Sequence, residues 1–285
     1  MLISEGSKAI WKAIQVALED NDGAIIGRNG STELALMIDI NKEFLYPALK
    51  HNAGIYPLST EAHLIKWQKA SIDATRLSDV LVTGWYKPLV ESEQIALHLW
   101  KFHGKQIPLR SLEPYYVPQE EQWTQLLSRE SVSVVSSFTE TMKSQVNKLD
   151  LIWPKGVLPR DVYWRWVQTG YSPDVAKGQN EWPYTVKSWS DAVDYVVSEV
   201  VSQGSRFALI GCGALGMPIA KALKERGVIC IVMGGAIQVL FGIKGKRWEK
   251  HEVISKSWNE YWVWPSKEET PTNSNGIEGG CYWSG

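Results

Sequence analysis

Phe207-Ala208-Leu209-Ile210-Gly211-Cys212-Gly213-Ala214-Leu215-Gly216-Met217-Pro218 and the following Val228-Ile229-Cys230-Ile231-Val232 decide the fold. Phe207 to Ile210 reads as a buried strand that stops at glycine. Met217 to Arg226 reads as a helix opened by proline, and Val228 to Val232 as a second strand. Two apolar strands joined through a helix make a parallel pair, because a tight turn cannot return the chain to the same edge.

The same alternation extends towards the N-terminus. Lys8 to Glu19 places Ile10, Ile14, Ala17 and Leu18 on one helical face. A short strand, Ala24 to Ile26, runs into Gly27-Arg28-Asn29-Gly30-Ser31 before a helical Thr32 to Ile38. Thr60 to Leu77 and Glu91 to Phe102 are helical and flank a strand at Val80 to Val82, which ends in Thr83-Gly84-Trp85. Val132 to Val135 is β-branched and ends in Ser136-Ser137-Phe138, with helices at Glu140 to Lys148 and Asp191 to Gln203. Together these predict a single α/β domain over residues 1–285, a three-layer sandwich around a largely parallel sheet. Residues 153–189 are rich in Pro, Gly and aromatics without a clear period, so an aromatic-rich insertion is expected there, as a connection or a small subdomain.

Composition narrows the function classes. The 30 basic and 31 acidic side chains nearly cancel, so no net field draws the chain to nucleic acid or an anionic membrane. Cys212, Cys230 and Cys281 follow no metal-ligand spacing and read as reduced thiols of a cytoplasmic protein. Neither a signal peptide nor a membrane span is expected. The 15 tryptophans admit two readings, sugar-stacking platforms or bulky core. There is no Walker loop and no Gly-x-Ser-x-Gly elbow, and the five histidines show no metal pairing.

Three loops carry charge or glycine where strands end. Gly211-Cys212-Gly213-Ala214-Leu215-Gly216 has the Gly-x-Gly-x-x-Gly form of a phosphate turn. The strand that follows it ends in Met233-Gly234-Gly235, without the acid that would hold a dinucleotide's ribose. Gly234, Gly235 and Gln238, followed by Lys244, Lys246 and Arg247, suit a leaving diphosphate, or else a solvated basic turn. In Arg28, Asn29, Gly30, Ser31 and Glu33, Arg28 suits a phosphate and Glu33 a ribose, a sugar hydroxyl or a metal; the other reading is a helix start capped by Ser31 or Thr32. Ser137 belongs to the same set of strand ends.

Several motifs occur in a fixed order: Gly27-Arg28-x-Gly30-Ser31-x-Glu33, Leu112-Glu113-Pro114-Tyr115-Tyr116, Ser144-Gln145, the run Gly234 to Trp248, and Glu278-Gly279-Gly280-Cys281-Tyr282-Trp283. In this the chain resembles the GT-D-type glycosyltransferases over nearly its whole length. The resemblance implies a Rossmann-like fold, a UDP-linked sugar donor and a glycan acceptor. The family includes xylosyltransferases of large algal DNA viruses that act on capsid glycan. Xylose is thus one expected sugar, and host cytoplasm one expected location. Better-studied members carry Asp-x-Glu at the first strand end, associated with a divalent metal. Here Ser31-Thr32-Glu33 keeps only the Glu, so Mn or Mg is not favoured and metal-independent transfer is expected. An inverting transfer needs one carboxylate as base, and Asp73, Asp79 and Glu33 are the candidates. Asp79 precedes its strand, the wrong end for a site at strand C-termini. Asp73 is taken as the base and Glu33 as a donor contact, although Asp73 beside Lys69 and Arg76 also reads as a surface ion-pair network. The alternatives are a Rossmann NAD(P)-dependent oxidoreductase and a glycan-binding protein without turnover. A homodimer is allowed, with no surface to nominate.

Overall fold

In the computed structural model, which describes residues 1–58, 60–176 and 180–283, the strands are β1 (Ala24–Arg28), β2 (Val80–Val82), β3 (Lys105–Ile107), β4 (Ser131–Ser136), β5 (Tyr163–Gln168), β6 (Phe207–Gly211) and β7 (Ile229–Val232). They form one seven-stranded sheet in the order β3-β2-β1-β7-β6-β4-β5, and every pairing is parallel. The helices are α1 (Ile3–Glu19), α2 (Ser31–Ile38), α3 (Tyr46–His51), α4 (Glu61–Arg76), α5 (Val90–Leu99), α6 (Thr139–Gln145), α7 (Leu149–Ile152), α8 (Pro173–Ala176), α9 (Trp189–Ser202), α10 (Gly216–Lys224), α11 (Ile237–Leu240) and α12 (Ile254–Ser257). This is the expected Rossmann-like α/β sandwich.

Parallel strands must be covered on both faces, and the side-chain alternation shows how. Ala24, Ile26, Phe207, Leu209, Ile229 and Ile231 face one core layer, with Ile10 and Ile14 of α1 and a broad aromatic layer. Ile25, Ala208, Ile210, Cys230 and Val232 face the other, against Trp67 of α4, Val196 of α9 and Leu223 of α10. Among the described residues no helix is long and apolar enough to cross a membrane.

Two strands were not anticipated. The sheet is widened by β5, which lies inside the segment read as an insertion, so residues 163–168 are an edge of the sheet and not an appendage to it. Its sequence, Tyr-Trp-Arg-Trp-Val-Gln, does alternate: Tyr163 and Arg165 are exposed, while Trp164 and Trp166 pack edge-on against Phe241. The other, β3, is a three-residue edge, too short for a periodic signal.

The tryptophans are mostly scaffold. Trp153 stacks on Tyr115 at 5.1 Å and meets Trp262 edge-on, and Trp262 continues to Trp258 and Trp264. Trp67, Trp123 and Trp283 are almost wholly buried.

Residues 267–276 are polar and rich in turn formers, yet they are tied down. The Glu269 carboxylate is buried and accepts the backbone N–H groups of Glu140 (2.7 Å) and Thr141 (3.0 Å), as well as the Thr141 hydroxyl. It thereby satisfies orphan donors at the start of α6. The Trp283 indole N–H then donates to the Glu269 carbonyl at 3.0 Å, fastening the C-terminal segment to the sheet. Glu269→Ala is expected to lose about 2–4 kcal/mol of unfolding free energy, as for a buried charged acceptor with several donors. Urea denaturation measures it, and an unchanged midpoint would remove Glu269 from this role.

Candidate functional site

Asp79 shows which end of the sheet is structural. Its carboxylate accepts the Ile25 N–H at 2.7 Å and pairs with Lys224 at 2.8 Å, closing the amino ends of β1 and β2. At the carboxyl ends lies a cleft of about 350 Å³, lined from β1, β4, β6 and β7 and the loops after β2 and β5. A crevice outside the carboxyl ends of parallel strands is where α/β folds take ligands.

Small residues make the floor. A Cβ on Gly235 would lie 2.3 Å from Cε1 of Tyr282, and one on Gly211 would lie 2.4 Å from Cγ2 of Ile237. Gly213 adopts φ +59°, and the next residue, Ala214, donates its N–H to the Ala53 carbonyl at 3.0 Å. The protein's own backbone therefore takes a donor that a dinucleotide pyrophosphate would use at this turn. Gly216 serves packing: a Cβ there would press on Val232 at 2.9 Å.

Charge is concentrated at one end. The Arg28 guanidinium lies over the Trp85 ring at 4.8 Å, and Gly234 adds no side chain beside it. Arg247 lies over Tyr282 at 5.0 Å and reaches the Glu278 carboxylate at 3.5 Å. Glu33 is half-buried above Gly30. Burial raises its pKa above the ordinary 4.5 and the Glu278 charge adds to the rise, while its own backbone N–H and the Arg28 charge oppose it. Burial also raises the Tyr282 hydroxyl, which stays protonated. The other end is neutral, with Ser136, Ser137, Phe138, Thr169, Tyr171 and Ser172.

The structure brings Arg28, Gly30, Ser31, Glu33, Ser137, Gly211, Gly213, Gly234, Gly235 and Arg247 to this cleft. Other expected residues lie behind it or away from it. Asn29 is buried and bonded to Thr75 at 3.1 Å. The Gln238 amide donates to the carbonyls of Lys244 (2.9 Å) and Tyr282 (3.3 Å), so it shapes the following loop from inside. Lys244 extends over the Trp258 ring, and Lys246 does not line the cleft. Asp73 is the main correction. It sits half-exposed on α4, paired with Arg76 at 3.4 Å, beside a separate shallow groove with Trp189 and Lys221. The helical ion-pair reading accounts for it, and Asp73 does not line the cleft at the strand ends.

Trp85, His51 to Gly54, Thr169 to Ser172, Glu278 and Tyr282 were not among the expected site residues. Trp85 carried a signal, since it follows a strand end. Thr169 to Ser172 follow β5, which was not read as a strand. Glu278 and Tyr282 belong to the Glu278 to Trp283 motif, but nothing in that motif places them beside β1. Among the described residues no three His, Cys, Asp or Glu side chains converge as metal donors. In the cleft Glu33 and Glu278 each lie close to an arginine, a donor set that does not fit a hard cation. Comparison with family models, curated proteins and solved structures finds no match.

Gly235→Ala is expected to displace Tyr282 and cost about 1–3 kcal/mol, as overpacking does. Denaturant titration of the pair Gly235→Ala and Gly235→Ala/Tyr282→Leu checks this, with the second change recovering part of the loss.

Proposed function

We propose that this protein is a glycosyltransferase that moves a sugar from a UDP-linked donor to a hydroxyl of a glycan acceptor, by direct displacement with inversion and without a metal. The observation that carries the reading is the convergence of Arg28, Arg247 and a half-buried Glu33 in one cleft at the carboxyl edge of the sheet. In such a transfer the acceptor oxygen bonds to the anomeric carbon as the bond from that carbon to the phosphate oxygen breaks. The hydroxyl proton passes to Glu33, and the electron pair leaves on the nucleotide diphosphate. Arg28 and Arg247 are placed to meet that growing charge, where prearranged cations act most strongly. Burial of Glu33 suits the base role, because a carboxylate with raised pKa is a stronger proton acceptor. The neutral end, with Ser137, Thr169 and Ser172, suits the hydroxyl groups of carbohydrate.

The other readings account for less. An NAD(P)-dependent oxidoreductase is disfavoured by the Ala53 carbonyl at the glycine turn and by the lack of an acid after β7. A glycan-binding protein without turnover leaves two arginines and a half-buried carboxyl without a purpose. The tryptophans that prompted it are chiefly core.

Glu33→Gln is expected to lower transfer by about 10²–10⁴-fold while UDP still binds, the range for loss of a general base. In the wild type kcat/KM should rise with pH through one ionisation above 4.5, because only the ionised Glu33 accepts a proton. Stability runs the opposite way. The folded protein holds this proton to higher pH than the unfolded chain, so stability is lost as pH rises from 4.5 through the raised pKa. Glu33→Gln should lack that loss and melt higher than wild type at pH 7. Unimpaired turnover by Glu33→Gln, measured as release of UDP from a UDP-sugar with acceptor, removes Glu33 as base.

A further inference from the structure

Glu278 has no place in the transfer chemistry above, yet it occupies the charged end of the cleft. Its carboxylate lies 3.5 Å from Arg247, one of the two cations assigned to the diphosphate. The pair is open to water, with 39% of the Arg247 side chain and 40% of the Glu278 side chain exposed, so an incoming anion can reach it. The backbone around it is unusual. Glu278 has φ +46°, a left-handed conformation that disfavours a residue with a side chain, and Gly279 and Gly280 continue it at +66° and +72°. The Glu278 N–H is held by Asn52 Oδ1 at 3.2 Å, while Trp283 anchors the segment beyond. The fold thus fixes this carboxylate at the rim, facing Arg247 and near Glu33.

We propose that Glu278 is a resident anion that selects for highly charged ligands: it holds Arg247 in the free protein, and a diphosphate must displace it to bind. This deepens the glycosyltransferase reading and rests on it. Exposed ion pairs are weak, so displacement is reversible and its cost is small. A diphosphate, with several charged oxygens, gains both Arg28 and Arg247 and recovers that cost. Orthophosphate or a simple carboxylate meets the Glu278 charge without recovering it. The residue therefore sets a threshold, weakening every anion by a similar amount so that only ligands reaching both arginines bind measurably.

Inorganic pyrophosphate and orthophosphate, titrated calorimetrically into the full-length protein, test this without requiring turnover. Glu278→Gln keeps the shape and removes the charge. It should tighten pyrophosphate about threefold to tenfold, the range of releasing an exposed ion pair, and admit orthophosphate measurably. In an Arg247→Ala background the same change should have a much smaller effect, which a merely structural role for Glu278 would not produce. Equal or weaker pyrophosphate binding by Glu278→Gln overturns the inference and leaves the transferase reading standing. If neither wild type nor variant binds pyrophosphate or UDP, the transferase reading falls and this inference falls with it.

Discussion

Everything at the cleft depends on the pairing of β7 with β1 at the centre of the sheet. Ala24, Ile25 and Ile26 run in register with Ile229, Cys230 and Ile231. The last strand of the chain is thereby inserted beside the first. Arg28, at the end of β1, then stands beside Gly234, just after β7, and the C-terminal segment is delivered over the same crevice. Without that pairing Arg28, Glu33, Arg247 and Tyr282 would have no reason to meet. The pairing is possible because both strands are apolar on both faces and can be covered on both sides.

The unequal coverage of the two faces explains the composition. On one side α4, α9 and α10 pack closely on small and medium residues such as Ala208 and Cys230. On the other, α1 covers only part of the sheet, and an irregular chain rich in Trp and Tyr fills the rest. Helices bring their own hydrogen bonds, whereas irregular chain must be satisfied piecemeal. Hence the specific bonds from the Trp123 indole N–H to the Leu112 carbonyl, from Trp153 to Leu240 and from the Gln145 amide to Tyr261. Many of the aromatic and polar motifs that stand out in the sequence belong to this layer. Arg110 and Glu113, joined through two bonds of 2.9 and 2.7 Å, are an example: they brace the turn before Tyr115.

This layering also determines what the sequence reveals. Apolar runs such as Phe207 to Ile210 mark buried parallel strands, so the alternation and the cleft-lining loops at strand ends were legible. The edge strand β5 was less so, because a half-exposed strand carries Tyr163 and Arg165 among its aromatics, without a continuous apolar run. At the site, residues at or just after strand ends were found: Arg28, Ser137, Gly211 and Gly234. Of residues arriving from more distant loops Arg247 was found by its charge, whereas Glu278 and Tyr282 were not. A helical residue's direction was also underdetermined. Asp73 and Glu33 both sit on helices, yet only Glu33 lies in the first turn after a strand end, where the helix start faces the crevice.

On the proposed reading, the charged end and the glycine floor together serve a phosphate-bearing ligand other than a dinucleotide. Thermal unfolding of the purified protein in EDTA, titrated in parallel with UDP and NAD, tests that claim most directly. A ligand that binds only the folded state at ~100 times its Kd adds about 2.7 kcal/mol, which such a scan resolves. Stabilisation by UDP and none by NAD is the predicted result. Stabilisation by NAD alone would contradict the account and return the turn at Gly211 to a dinucleotide.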